Sequence, residues 1–186
     1  MIIGNRIRLR GIERSDLPRF VLWLNDPDVY RNLLISVPLS LAQEEIWFER
    51  TIAHAPKEQP LVVEVKTGED WLPIGNVGLQ QYDDFNHSAE FGIVLGEKSY
   101  WNQGYGREAA ALMVKHGFYN LNLNRIFLHV YETNPAAIRS YEAAGFVQEG
   151  RLRQERYLEG HYVDVLVMSV LHSEWKEPDF LKSKGS

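Results

Sequence analysis

The sequence predicts a single α/β (α+β) domain in which a mixed, mostly antiparallel sheet is flanked by helices. Three observations carry that prediction. Three strand-like runs, Leu61–Val65, Ile74–Tyr82 and Ala89–Gly96, are joined by short turns at Thr67-Gly68-Glu69-Asp70 and Asp83-Asp84-Phe85-Asn86-His87, which is the pattern of an antiparallel meander. A helix is expected from Gly106 to about Leu121, because Ala110, Met113, Val114, Gly117, Phe118 and Leu121 recur at helical spacing. Arg125 to Tyr131 then alternates as a strand, with Ile126, Leu128 and Val130 on one face and Phe127, His129 and Tyr131 on the other.

The remaining elements follow in order. Arg6 to Arg10 alternates charged and apolar residues, as a half-exposed strand does. Ser15 is expected to cap a helix with Phe20, Trp23 and Leu24 on its apolar face, ended by Asn25-Asp26-Pro27-Asp28. Tyr30 to Pro38 is an apolar connection without a clear assignment. Ser40 caps a second helix to about His54, with Glu44 near the capping-box position. Late in the chain, Asn134-Pro135 opens a helix that Gly145 stops. Strands are expected from Phe146 to Arg151 and from Tyr162 to Leu171, and the tail from Glu177 to Ser186 is expected to fray.

Composition narrows the function. The chain has 186 residues, 45% of them hydrophobic and 24% charged, which suits one soluble domain with a real core and no linker. It has no cysteine, so disulfides, thiolate zinc sites and a cysteine nucleophile are excluded. The six histidines show no metal-ligand spacing, and each reads as a surface or satisfied residue, so no metal is expected. A net charge of −5 without a basic stripe argues against nucleic acid. No apolar run approaches the ~18 residues of a membrane span, and Met1 to Arg6 lacks a signal-peptide layout, so a cytoplasmic protein is expected.

The chemistry gathers at Tyr100-Trp101-Asn102-Gln103-Gly104-Tyr105-Gly106-Arg107-Glu108. Two glycines at the mouth of a helix allow close backbone approach, and the free N–H groups of the first turn make an anion site suited to phosphate. Gly104-x-Gly106-x-x-Ala109 also fits a dinucleotide-binding pattern, but that fold needs a parallel strand order and an acid about ~20 residues on. The antiparallel meander before the loop, and the lack of an acid ahead of Glu132, set it aside. No Gly-Lys-Ser/Thr occurs, so a P-loop is excluded as well.

Two motifs together resemble the GNAT (general control-type) N-acetyltransferase superfamily. Trp101-Asn102-Gln103-Gly104-Tyr105-Gly106 is similar to its Gln/Arg-x-x-Gly-x-Gly/Ala loop, with Trp101 in place of the polar residue. Asn134-Pro135-Ala136-Ala137, with Tyr141 seven residues after Asn134 and then Gly145-Phe146, is similar to its second signature. The resemblance covers roughly residues 5 to 175 of one domain and is strongest to the spermidine and ribosomal-protein-alanine N-acetyltransferases. Ala89 to Leu95 and Glu149 to Arg153, with Tyr157 and Gly160, carry that finer likeness.

The resemblance implies transfer of an acetyl group from acetyl-CoA to a primary amine by direct attack, the amine being a protein N-terminus or a polyamine. It implies a splayed strand pair in which Ile93, Val94 and Leu95 offer backbone groups to the pantetheine arm, one N–H near Val94 stabilising an oxyanion. Gln103, Gly104, Tyr105, Gly106, Arg107 and Glu108 belong to the implied CoA loop, with Asn134 and Tyr141 opposite. Tyr141 is the implied acid for the leaving thiolate. Glu90 is the candidate base, since a carboxylate between Ala89 and Phe91 should be desolvated and raised in pKa. Tyr30, Tyr82, Asp83, Asp84 and Tyr157 are candidates for the acceptor. Asp83-Asp84 could hold a second ammonium or be a plain solvated turn, and Glu44, Glu45 and Glu49 read as a helix surface. The alternatives are an acyl-CoA-binding protein without transfer, and an acetyltransferase of an amino sugar or antibiotic. A homodimer is usual in such families.

Overall fold

In the computed structural model, residues 1–33 and 38–182 are described. Eight strands form one sheet: β1 (Ile2–Ile3), β2 (Ile7–Gly11), β3 (Leu61–Thr67), β4 (Asp70–Asp83), β5 (Ser88–Leu95), β6 (Arg125–Tyr131), β7 (Val147–Leu158) and β8 (His161–Leu171). Their order across the sheet is β1-β2-β3-β4-β5-β6-β8-β7. Every pairing is antiparallel except β5 with β6. The expected meander is β3-β4-β5. Five helices flank the sheet: α1 (Leu17–Leu24), α2 (Pro27–Tyr30), α3 (Leu41–Ile52), α4 (Tyr105–Tyr119) and α5 (Pro135–Ala144).

Alternation along the strands sorts the helices onto two faces. Val63 and Val65 pack with Ala110, Met113, Val114 and Phe118 of α4. Val62, between them in the pleat, packs with Phe20 and Trp23 of α1 and Phe48 of α3. The main core therefore lies under α4, with Ile138 and Tyr141 of α5 on the same side. A smaller core lies under α1 and α3. Three ion pairs on buried carboxylates pin the early strands. Glu64 takes both Arg8 and Arg10, and Arg10 also forks onto Asp16 at the start of α1.

Several local expectations need correction. Ser15 does not cap α1; a single 3-10 turn over Arg14–Asp16 precedes it, and the Asp16 carboxylate accepts from Glu13 N–H. Asp26-Pro27 ends α1 but also opens α2, with Asp26 accepting from Asp28 N–H as cap. In α3, Gln43 rather than Glu44 completes the capping box with Ser40. The tail is docked as far as Lys182. Trp175 Nε1 donates to Ala144 O, Glu177 pairs with Lys115, and Asn5 Nδ2 donates to Phe180 O. The end of the unassigned Tyr30–Pro38 stretch, residues 34–37, and the last part of the expected frayed tail, 183–186, lie outside the described residues.

Candidate active site

The one parallel pairing is short. β5 and β6 run together only through Ser88–Arg125, Ala89–Ile126 and Glu90–Phe127. Beyond Glu90 they part, so Phe91 to Leu95 have no partner on the β6 side. Backbone N–H and C=O groups stranded in this way need a partner. One is supplied internally: the Trp101 indole Nε1 donates to Leu95 O at 2.8 Å. The aromatic that departs from the usual loop pattern thus ties that loop to the free edge of β5.

A groove of about 1190 Å³ passes through this opening from one face of the sheet to the other. On the α4–α5 face lie Gly104, Tyr105, Gly106, Asn134, Ser140 and Tyr141, with Ile93, Val94 and Leu95 along the edge. Gly104 caps α4 at φ 82, a left-handed conformation that glycine adopts without strain. The N–H groups of the first turn of α4 have no acceptor within the helix. Asn134 caps α5, its Oδ1 accepting from Ala137 N–H at 3.1 Å. A loop of bare backbone donors beside an unpaired strand edge fits a pyrophosphate followed by an amide-bearing arm. That is the chemistry of CoA, and Gly104, Tyr105, Gly106, Ile93 to Leu95 and Asn134 line that space.

Three loop residues sit differently. Glu108 is 1% exposed and turned inward, its carboxylate accepting from Arg6 N–H and Nε, both at 2.8 Å. It anchors β2 to α4 and does not face the groove. Gln103 points its amide at Ser99 O, and Arg107 lies over the Phe180 ring at 4.9 Å; neither lines the groove. The Arg107 Nε would nevertheless come within 2.9 Å of a Cβ placed on Gly104, so the cation flanks the loop.

On the α1–α3 face the groove holds Glu90 and His129. Glu90 is 9% exposed, but its surroundings are polar rather than apolar. Gln81 Nε2 donates to Oε2 at 2.6 Å, Gln80 Nε2 reaches the same atom at 3.3 Å, and His129 Nδ1 lies 2.7 Å from Oε1. The expectation of apolar neighbours is corrected by these partners. Gln81 reaches Glu90 from a bulge in β4 between Gln80 and Asp83, with its own backbone at φ 50. His129, one of the histidines expected to be surface or satisfied, finds its partner in Glu90. The missed signal was register: Glu90 pairs with Phe127, and His129, two residues on, shares that face.

Tyr141 borders the opening from α5. Its ring packs edge-on against Phe91 at 5.8 Å and Phe146 at 6.0 Å. Burial pushes the hydroxyl up to about 12. No hydrogen-bond partner holds that hydroxyl among the described residues.

The acceptor candidates divide. Tyr82 and Asp84 line the groove; the Tyr82 hydroxyl donates to Lys57 O, burial raises its pKa, and Asp84 pairs with Lys57. Asp83 is spent in its turn, accepting from Phe85 N–H, Asn86 N–H and Asn86 Nδ2. Tyr157 is exposed and meets Tyr162 edge-on, and Tyr30 stands outside the groove. Sequence reading also missed Glu44, which lines the groove while Glu45 and Glu49 are on the surface. Asp28, Glu44, Glu58, Asp84 and Glu90 line the groove. Lys98 and Lys57 pair with Asp28 and Asp84, which leaves Glu44, Glu58 and Glu90 with Arg156 and His129 among the described lining residues, an acidic balance that favours a cation. No cluster of three potential metal ligands occurs among the described residues. No described helix is long and apolar enough to cross a membrane.

Comparison with known proteins agrees with this geometry. A family model described as an acetyltransferase (GNAT) domain matches residues 6–147. The chain is 32% identical over 173 residues to spermidine N(1)-acetyltransferase of Vibrio cholerae serotype O1, covering 93% of this chain and 97% of that one. It is 30% identical to spermidine N(1)-acetyltransferase of Escherichia coli K12, covering 92% and 89%. A crystal structure of the Vibrio cholerae spermidine N-acetyltransferase in complex with CoA and spermine superposes with a TM-score of 0.82 at 31% identity, covering 91% of this chain and 97% of that one. A putative ribosomal N-acetyltransferase of Bacillus subtilis, YdaF, is 28% identical over 102 residues, covering 55% of each.

Proposed function

Since the chain belongs to the GNAT acetyltransferase family and is an acetyl-CoA-dependent N-acetyltransferase, we propose that it acetylates a primary amine of the polyamine class by direct attack within one groove. The observation that carries this reading is that Glu90 and Tyr141, on opposite faces of the sheet, border the same opening between β5 and β6. The acidic rim and the spermidine-acetylating relatives support the acceptor class.

Acetyl-CoA supplies the acetyl thioester. The acceptor arrives as an ammonium, since an alkylamine titrates near ~10.4, and must lose a proton before its nitrogen can attack. Glu90 takes that proton, directly or through a water. Gln80 and Gln81 fix one carboxylate oxygen, and His129 Nδ1 lies against the other. The N–H groups of the free β5 edge hold the arm of the cosubstrate and offer a donor to the carbonyl oxygen. Leu95 C=O faces that edge and Gly96 N–H bonds Ile74 O of β4, so by alternation Ile93 and Leu95, the immediate neighbours of Val94, present their N–H groups there while that of Val94 turns toward β4. Tyr141, its hydroxyl protonated throughout the neutral range, gives its proton to the departing sulfur.

The test is thiol release from acetyl-CoA with spermidine, an alanine-ended peptide, a lysine peptide, an aminoglycoside and an amino sugar as separate acceptors. Release with spermidine above the others is expected. Release confined to the peptides, the aminoglycoside or the amino sugar would overturn the acceptor class. Silence with every amine, while acetyl-CoA still raises the melting temperature, would overturn transfer in favour of acyl-CoA binding alone.

A further inference from the structure

Glu44 takes no part in the chemistry above, yet it is built into the groove. In α3 it belongs to the inward stripe Glu44, Phe48 and Thr51, at positions where an apolar residue would ordinarily sit. It is 5% exposed, and no hydrogen bond or ion pair reaches its carboxylate among the described residues. The other groove carboxylates differ: Asp28 is paired with Lys98, Asp84 with Lys57 and Glu90 with His129, while Glu58 is only half-buried. Desolvation holds the Glu44 carboxyl above the usual range, as it does for a charge waiting for a counterion.

Its neighbours suit an organic cation. Trp47, three residues on, also lines the groove, so an indole stands beside the carboxylate. A carboxylate next to an aromatic ring is a good site for an ammonium group. Leu24, Val29 and Leu39 add apolar surface to this wall. A methylene chain can lie along that apolar surface.

We propose that Glu44, with Trp47, forms a subsite for a second ammonium group of the acceptor, so that linear di- and polyamines are selected over monoamines while the reacting amine sits at Glu90. The inference rests on the acetyl-transfer reading above and adds to it the residue that measures the far end of the acceptor.

The experiment compares wild type, Glu44→Gln and Glu44→Leu. Steady-state thiol release is measured with spermidine, hexylamine and an alanyl-lysine amide, and spermidine and hexylamine are titrated calorimetrically into CoA-saturated protein. A charge-assisted hydrogen bond lost from a buried site corresponds to about 10–100-fold in affinity. Both variants should raise KM for spermidine by that factor with kcat within about threefold, and leave hexylamine unchanged. Equal KM for spermidine and hexylamine in wild type, or variant effects alike on both amines, would overturn the subsite while leaving acetyl transfer intact. A Glu44-dependent preference for the alanyl-lysine amide over spermidine would overturn the polyamine assignment. Calorimetry separates the two readings: Glu44-dependent spermidine binding without turnover of any amine supports the subsite and overturns the transfer reading.

Discussion

Gly106 offers the sharpest test of the cofactor loop, because there the needs of the fold and of the ligand diverge. It is the second residue of α4, and a Cβ placed on it would stand 3.2 Å from Leu95 Cδ1 and 3.9 Å from Ser140 Oγ. Only the flexible end of Leu95 must yield, by a few tenths of an ångström. Alanine in a helix is favoured over glycine by up to about 1 kcal/mol, which offsets that contact. Gly106→Ala should therefore unfold within about 1 kcal/mol of wild type, or roughly 2–4 °C in Tm for a chain of this size. Valine adds two more carbons and the overpacking that goes with them, about 1–3 kcal/mol. The ligand effect is separate. At 100 times its Kd a ligand stabilises its protein by about 2.7 kcal/mol, which here is roughly 5–10 °C. The new side chain enters the space between the loop, the β5 edge and α5, where a pyrophosphate has to meet bare backbone. Thermal unfolding with and without acetyl-CoA should show a reduced shift for Gly106→Ala and none for Gly106→Val. A valine variant that folds and keeps the full shift would refute the reasoning, since the phosphates would then bind elsewhere.

Three further outcomes follow from the same geometry. Tyr141→Phe should lower kcat about 10–100-fold, at or below the low end of acid catalysis, with KM for acetyl-CoA unchanged; because burial holds the hydroxyl up to about 12, wild type should show no tyrosine-dependent fall in rate below about pH 10, and unaltered turnover would remove the acid role. Glu90→Gln should lower kcat/KM by about 10²–10⁴-fold with KM for acetyl-CoA unchanged, whereas unaltered turnover would exclude Glu90 as base. Glu44→Gln should stabilise the ligand-free protein at pH 7. A carboxyl raised in the folded state costs nothing below the ordinary value of 4.5 and its full amount once the pH passes the folded value. Denaturant unfolding at pH 4 and pH 7 should therefore show the variant's advantage only at the higher pH, and an advantage confined to pH 4 would contradict the assignment.

Local signals in the sequence survived into the structure, and long-range ones did not. The stripe from Ala110 to Phe118, the Asn134-Pro135 cap and the alternation of β6 each depend on residues within a few positions of one another, and all are present. Glu108 looked like part of the loop because its neighbours are, yet its partner Arg6 is 102 residues away. Glu44 was read with Glu45 and Glu49 as one acidic surface. Helical geometry puts it about 100° from Glu45, onto the stripe with Phe48. The tail from Glu177 was expected to fray as a chain end, but Glu177 pairs with Lys115 and the Phe180 ring lies under Arg107. At the site, the glycine loop and Tyr141 were legible because each belongs to a contiguous motif. The partners of Glu90 were not, since His129 arrives by strand register and Gln81 by a bulge.

That bulge carries a lesson for anyone seeking a hardier version of this protein. At φ 50 the Gln81 backbone occupies a region that glycine would enter at lower cost. A screen that rewards heat resistance alone would welcome a glycine there and so discard the amide that steadies Glu90. Tougher descendants chosen in that way would carry a looser proton acceptor. Melting temperature and turnover should thus be scored side by side, because at this residue they pull in opposite directions.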